Sequence, residues 1–466
     1  MMGIDSIKSY LNKPVSIAPL IFLRGAFAFM MIFSLLRFAS KGWINELYIK
    51  PSYFFSYFGF DWLPHFGGAA VVFIFCITLL AAIGIFLGAF YRISSILFFI
   101  GFTYLELIDK ANYLNHYYFI SLLALLLILL PANRAFSLDV KQGRTEARGQ
   151  VTNWTILILK VCIGGLYFMA GIAKLNYDWL FQAMPMKMWL PPHSSLPIIG
   201  SLLDEVWVAY LFSWIGMLYD IAIPFLLFNR STRIPAYITV VIFHGLTAIL
   251  FPIGMFPYIM MCCSLIFFTP AFLEKVVTLK GRFKMIDEDL RSKMYQYSKT
   301  QIRIIRPVLF VLLILIFIFP LRFIAYGGNS HWHEQGYRFA WRVMLMEKAG
   351  KTFFYVKDPD QKGEIEIDNT KYLSPNQEKQ MSTQPDMILQ FAHHLEQQYI
   401  NEGIADPIVR AEAWVSINGE GSRLLIDPAV DLTKEQDGWK RKDWILPYDS
   451  VVTLQEYQEF KKNRKR

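Results

Sequence analysis

Cysteine and charge are both scarce. Four cysteines, Cys76, Cys162, Cys262 and Cys263, occur in 466 residues, and all lie inside apolar runs. Cysteine there behaves as a small buried residue, so neither a disulfide framework nor a CxxC redox pair is expected. Charged residues make up 18% of the chain, against 55% hydrophobic and 16% aromatic, a balance that speaks against a soluble globular protein. No glycine-rich phosphate loop and no serine elbow occurs. His331-Trp-His333 and His393-His394 are the only close histidine pairs. No cysteine or suitably spaced carboxylate completes a ligand set beside them, so no metal site is expected. The net charge of +9 is concentrated in particular loops and is not a nucleic-acid footprint.

What the chain has in abundance is apolar runs near the length that crosses a hydrocarbon core of about 30 Å. Candidate spans are 16–40, 67–90, 94–108, 116–131, 152–175, 203–228, 235–251, 256–269 and 306–325. The third and eighth are short, either tilted or paired as a re-entrant hairpin. Met1 to Lys13 is polar and the first run is long enough to span, so no cleavable signal peptide is expected. With the N-terminus inside, the inside loops carry Arg92, Arg134, Lys141, Arg144, Arg148, Arg230 and Arg233. The last inside loop, 270–305, adds eight more lysines and arginines, and the outside loops carry only Lys41, Lys50, Lys110 and Lys187. This asymmetry sets the expected topology.

Pro320 and Gly327-Gly328 end the last span, and hydrophobicity then falls. The expected fold is a polytopic α-helical membrane protein of about eight or nine transmembrane helices with a C-terminal extracytoplasmic α+β domain. The division is 1–328 for the bundle and 329–466 for the outer domain. Strand-like runs cover Thr352–Val356, Glu364–Ile367, Ala413–Ile417 and Ser422–Ile426. Asn418-Gly419 between the last two signals a hairpin turn. A helix fits 385–401, with Ile388, Phe391, Leu395 and Tyr399 spaced at three to four residues. The tail from Phe460 to Arg466 is basic.

The most informative stretch is Tyr167-Phe-Met-Ala-Gly-Ile-Ala-Lys174-Leu-Asn-Tyr-Asp178-Trp179-Leu. Here a small-residue apolar run meets one lysine at a span end. Lys174 has two readings. Its ammonium snorkels to the headgroups, or an apolar site favours the neutral amine, which can act as a base. Asn115, His116, His244 and the Phe251-Pro-Ile-Gly-Met255-Phe turn fall on the same outside face as Lys174. Alone, His116 reads as an interfacial histidine and His244 as a helix-packing donor. Together they suggest a cavity or pathway, because polar groups at membrane depth usually line one. Trp332, Tyr337, Phe339 and Trp341 read either as an aromatic belt or as a binding wall.

Six segments in order resemble the vitamin K-dependent γ-glutamyl carboxylase family, with an HTTM-type membrane domain. They are YRISSILFF from Tyr91, DKANYLNHYY from Asp109, YFMAGIAKLNYDWL from Tyr167, FHGLTAILFPIGMF from Phe243, WHEQGYRFAW from Trp332 and WVSINGEGSRLLIDPAVD from Trp414. The resemblance implies an enzyme that oxidises reduced vitamin K, a naphthohydroquinone, with O₂ to its epoxide. The strong base formed on the way removes a γ-proton from a protein glutamate, and CO₂ adds to the carbanion. No metal is implied. Lys174 would be the base that ionises the hydroquinone, and His116 would stabilise developing charge. Asn115 would hydrogen-bond the quinone oxygen; His244, Phe251 and Met255 would complete the quinone pocket. Trp332, Tyr337 and Trp341 would place the substrate glutamate. The implied partners are a glutamate-containing exported protein or peptide, membrane lipid, and a reductase that recycles the quinone.

The chain ends about fifty residues past the WVSIN segment, no cysteine stands outside the apolar runs, and the stretch after Trp341 diverges. These features imply a shortened relative of bacterial type, in an inner membrane with its site facing the periplasm. Two alternatives stay open. One is a vitamin K hydroquinone epoxidase that does not carboxylate glutamate. The other is a transporter or lipid-binding bundle without chemistry.

Overall fold

The computed structural model describes residues 4–448 and 456; the basic tail from Phe460 lies outside them. Each of the nine expected spans contains a helix. The main helices are α1 (Ala18–Ser40), α2 (Gly68–Leu87), α3 (Tyr91–Leu107), α4 (Asn115–Leu129), α5 (Trp154–Ala173), α6 (Val206–Phe228), α7 (Arg233–Leu250), α8 (Phe256–Ser264) and α9 (Lys299–Leu313). The last continues through a π turn and 3₁₀ turns to Tyr326. Six are long and apolar enough to cross a membrane: α1, α2, α5, α6, α7 and α9 with its continuation. The other three, α3, α4 and α8, have 17, 15 and 9 residues.

Local chemistry sets several helix ends. Gly88, at φ 62°, closes α2 in the left-handed conformation that glycine adopts without a Cβ penalty. Ser298 and Gln301 form a reciprocal capping box at the start of α9. Arg24 is buried within apolar α1, where its two terminal nitrogens donate to Ala132 O at 2.8 Å and Phe136 O at 2.6 Å. One end of the bundle gathers the lysine- and arginine-rich loops. There Gly149 N bonds to Leu290 O and Lys293 O, and Pro14–Ser16 pairs antiparallel with Gln150–Thr152. The loops after α1, α3 and α5 meet at the other end, beneath the C-terminal domain.

That domain is a four-stranded antiparallel sheet covered by helices. Its strands are β1 (Lys348–Lys357), β2 (Ile365–Glu366), β3 (Ile408–Ile417) and β4 (Arg423–Leu424), in the order β2-β1-β3-β4. β1 and β3 pair along their full length, from Lys348 opposite Ile417 to Lys357 opposite Ile408. Asn418 and Gly419, at φ 50° and 78°, are the central residues of a turn closed by Glu420 N donating to Ile417 O at 3.0 Å, inside the connection 416–422 that leads into β4. Phe354 and Val356 on β1 face inward with Val409, Ala411, Ala413 and Val415 on β3, the period of two that a half-buried strand requires. Helices α10 (Pro375–Met381) and α11 (Pro385–Asn401) close the core. The three inward residues Ile388, Phe391 and Leu395 are fully buried.

The joint between bundle and domain is polar and buried. Asp109, just past α3, accepts from Phe55 N, Ala111 N and Gln377 Nε2, and Gln377 also donates to Tyr53 O. Lys110 and Arg338 both reach Asp386 on α11, at 2.9 and 2.6 Å.

Candidate active site

Lys174 caps α5, its backbone N–H bonding to Gly171 O at 3.0 Å. Gly171 explains what stands opposite. A Cβ there would come within 2.6 Å of Ile221 Cγ1 and 2.8 Å of Ile221 N, so glycine lets the α5 and α6 backbones meet, as small residues do between membrane helices. That approach sets Asp220 against the lysine. Lys174 Nζ donates to Asp220 Oδ2 at 2.7 Å and to Ala170 O at 3.3 Å. Both side chains are buried, 9% and 7% exposed. Nζ also lies 5.5 Å from the centre of the Trp179 ring, whose indole N–H donates to Ser213 O. The acidic partner is not among the residues singled out from sequence. Its signal is nonetheless there, because an acid inside the apolar run 203–228 is a functional candidate by default.

Lys174 and Asp220 open on a cavity of about 350 Å³ between α5, α6 and α7. Its walls are mostly apolar, including Leu166, Ala170, Leu250, Phe251 and Val343. Three lining residues, Leu211, Ile215 and Ile242, are exposed on the outer faces of α6 and α7. The cavity therefore opens sideways, where lipid would stand. His244 and Tyr167 supply the other polar wall. The Tyr167 hydroxyl lies 2.8 Å from His244 Nε2 and 3.3 Å from Ser264 Oγ, while His244 Nδ1 is buried without a partner.

Of the residues singled out from sequence, Lys174, His244 and Phe251 share this cavity. His116 and Met255 are buried behind it, the His116 ring 5.9 Å from Phe256, which lines it. The Asn115 side chain is engaged elsewhere, donating to Arg342 O at 3.0 Å and accepting from the Tyr113 hydroxyl at 3.1 Å. The three aromatic residues separate. Trp332 is in the domain core, its indole N–H donating to Leu446 O. Trp341 packs into the bundle, stacked 4.9 Å from Tyr118 and donating to Ile316 O. Tyr337 lines a different cavity.

Comparison with known families settles the kinship. A family model of the HTTM domain matches residues 12–272, and one of the vitamin K-dependent gamma-carboxylase lumenal domain matches residues 300–451. The chain belongs to the vitamin K-dependent γ-carboxylase family. No solved structure matches it.

This carboxylase-family chain has two further cavities beside the segment 337–344. Tyr337, Arg338 and Phe339 line one that is larger than the Lys174 cavity, about 530 Å³. It holds Glu106, which accepts from Ser121 Oγ and whose Oε1 has no partner. Its other charges are already engaged: Lys110 and Arg338 bind Asp386, Glu334 binds Lys348, Lys442 binds Asp437, and Arg322 donates to Phe319 O, so size alone does not make it the reaction site. Ala340 and Arg342 line a polar cavity of about 280 Å³ on the other side. Val343 and Met344 return to the Lys174 cavity. Phe339, Trp341 and Met344 all have positive φ, between 51° and 56°. Non-glycine residues held there cluster at functional sites.

Proposed function

We propose that the protein is a membrane carboxylase whose quinone site is the cavity at Lys174, with the C-terminal domain and the site on the extracytoplasmic side. The observation that carries the reading is the Lys174–Asp220 pair on an apolar cavity open toward lipid, in a chain of this family. The cavity fits a naphthoquinone. It is within the size range of small-ligand sites, its long walls are hydrocarbon, and its polar groups stand at two places. Phe251, Leu250 and Leu246 would pack the ring, and the lateral opening would pass the prenyl tail.

When bound, reduced vitamin K supplies with O₂ the oxidising power and the strong base that no side chain can provide. The protein's part is modest acid–base work and positioning. Lys174 Nζ lies 2.7 Å from Asp220 Oδ2, close enough to pass a proton to it. With that proton on Asp220, the amine lone pair is available to take the proton of a hydroquinone hydroxyl. Tyr167 holds His244 through Nε2, leaving Nδ1 to face a ligand oxygen. Water is kept out by the apolar walls, which strengthens each of these contacts.

The test uses purified full-length protein in detergent with reduced vitamin K, O₂, labelled bicarbonate and a short glutamate peptide. Epoxide and acid-stable label are read from one tube, beside a Lys174→Ala control and that control with added small amines. Both products, lost in the control and partly restored by amine, are expected. Epoxide without label would replace the carboxylase reading with that of an epoxidase. Normal epoxide from Lys174→Ala would remove Lys174 from the mechanism.

A further inference from the structure

The polar cavity on the far side of segment 340–344 contains a buried cation that no described carboxylate pairs. Arg342 is 5% exposed. Its Nη1 donates to Ser330 Oγ at 2.8 Å, and its Nε has no partner. The guanidinium carbon sits 3.8 Å from the Phe323 ring centre and 5.7 Å from that of Tyr337. Among the described residues no carboxylate stands within ion-pair distance of it. Asp178 lines the same cavity, but its carboxylate accepts from Asn418 Nδ2 at 3.2 Å. His331 shares the wall, is also 5% exposed, and has a buried Nε2 without a partner.

A buried guanidinium is costly unless an anion meets it, and its planar fork matches the two oxygens of a carboxylate. A neutral imidazole beside it adds one N–H donor. The position of this unfilled pair is also informative. Ala173 and Asn176 line the polar cavity while Ala170 and Lys174 line the quinone cavity. Arg342 faces the first and Val343 the second. Only the end of α5 and one irregular strand of chain separate the two.

We infer that Arg342, with His331, is the subsite for the side-chain carboxylate of the acceptor glutamate. The inference rests on the carboxylase reading and names residues for its peptide half. When the γ-carbon loses its proton to the base generated by hydroquinone oxidation, the electron pair of the broken C–H bond spreads into the adjacent carboxylate. A guanidinium fixed on that carboxylate stabilises the added charge. The new C–C bond to CO₂ then consumes the pair.

The test is equilibrium binding of a short glutamate peptide and its glutamine analogue to the full-length protein in detergent, with no quinone present. The glutamate peptide is expected to bind about 10- to 100-fold more tightly, the range for one charge-assisted buried contact. Arg342→Gln should erase the preference, Arg342→Lys keep part of it, and His331→Gln weaken it. In turnover, Arg342→Gln should raise the peptide KM and lower the rate at which label enters glutamate. Equal binding of the two peptides by the wild type overturns the inference, and needs no variant to fold. Equal binding together with bicarbonate binding lost in Arg342→Gln assigns the site to the inorganic anion instead. Absence of wild-type epoxide would defeat the carboxylase reading itself, a different failure.

Discussion

Lys174 and Lys348 are both buried lysines beside a carboxylate, and they are held in opposite ways. Lys348 spends every N–H on protein: Glu334 Oε1 at 2.7 Å, Trp332 O at 2.9 Å and Thr383 O at 2.9 Å. It anchors the segment after the last span to β1. Lys174 has a carboxylate at 2.7 Å, one long contact to Ala170 O, and an open cavity on its remaining side. Burial is common to both, so burial does not distinguish a reactive lysine from a structural one. What distinguishes them is an unspent direction that faces space for a ligand.

Exchanging the two lysines for methionine should break the comparison most sharply. Lys174→Met should lower quinone oxidation by about 10²- to 10⁴-fold, the usual weight of a positioned base, measured as epoxide formed per minute. Adding Asp220→Asn to that variant removes the stranded acid and should restore the thermal midpoint without restoring rate. Lys348→Met should do the reverse. It strands Glu334 and should cost about 3–5 kcal/mol of stability, read by denaturation in detergent, with residual rate in the folded fraction.

A similar cost tests the joint. Burial alone would push Asp386 up, but Arg338 and Lys110 outweigh it and hold its carboxyl far below the usual carboxylate range. A depressed carboxyl contributes stability above about pH 4 that is lost on further acidification. Asp386→Asn should remove about 3 kcal/mol near neutrality and flatten the acid limb of the unfolding curve. A wild-type slope in the variant would show that the cluster is not electrostatically coupled.

Gly171→Ala should be smaller in stability, about 1–3 kcal/mol for overpacking, yet larger in rate. The added methyl drives α6 from α5 and stretches the Lys174–Asp220 contact. A variant that loses stability but keeps full epoxide formation would show that the close approach is only packing. The smallest effect is that of His331, which burial, with Arg342, Lys348 and His333, pushes down to about 3. A histidine kept neutral in the fold costs stability as pH falls below its unfolded value near 6.5. About 2 kcal/mol should go by pH 5, and His331→Gln should lose that dependence.

The nine helices were legible because apolar runs are local signals, though six of them are long and apolar enough to span, and the β3–β4 turn because Asn418-Gly419 states it. The lysine, His244 and Phe251 were legible as residues of one cavity because span ends place them at one depth. Asp220 was harder. It is 46 residues from Lys174, and only the Gly171 contact, a fact of helix crossing, brings them together. The scatter of Trp332, Tyr337 and Trp341 into three environments was not legible either. Their segment is irregular, with left-handed residues at Phe339, Trp341 and Met344, and so has no period from which direction can be read. Arg342 was visible only as a divergence. That no described carboxylate pairs with it is a property of the folded surroundings.

Asp109 gathers a loop, a 3₁₀ turn and a helix of the other domain onto one carboxylate. Such a knot works as a bracket, not as a hinge. A guest bound beneath the outer domain would then meet a floor and a roof that share one fastening, and would have to fit the gap as it stands.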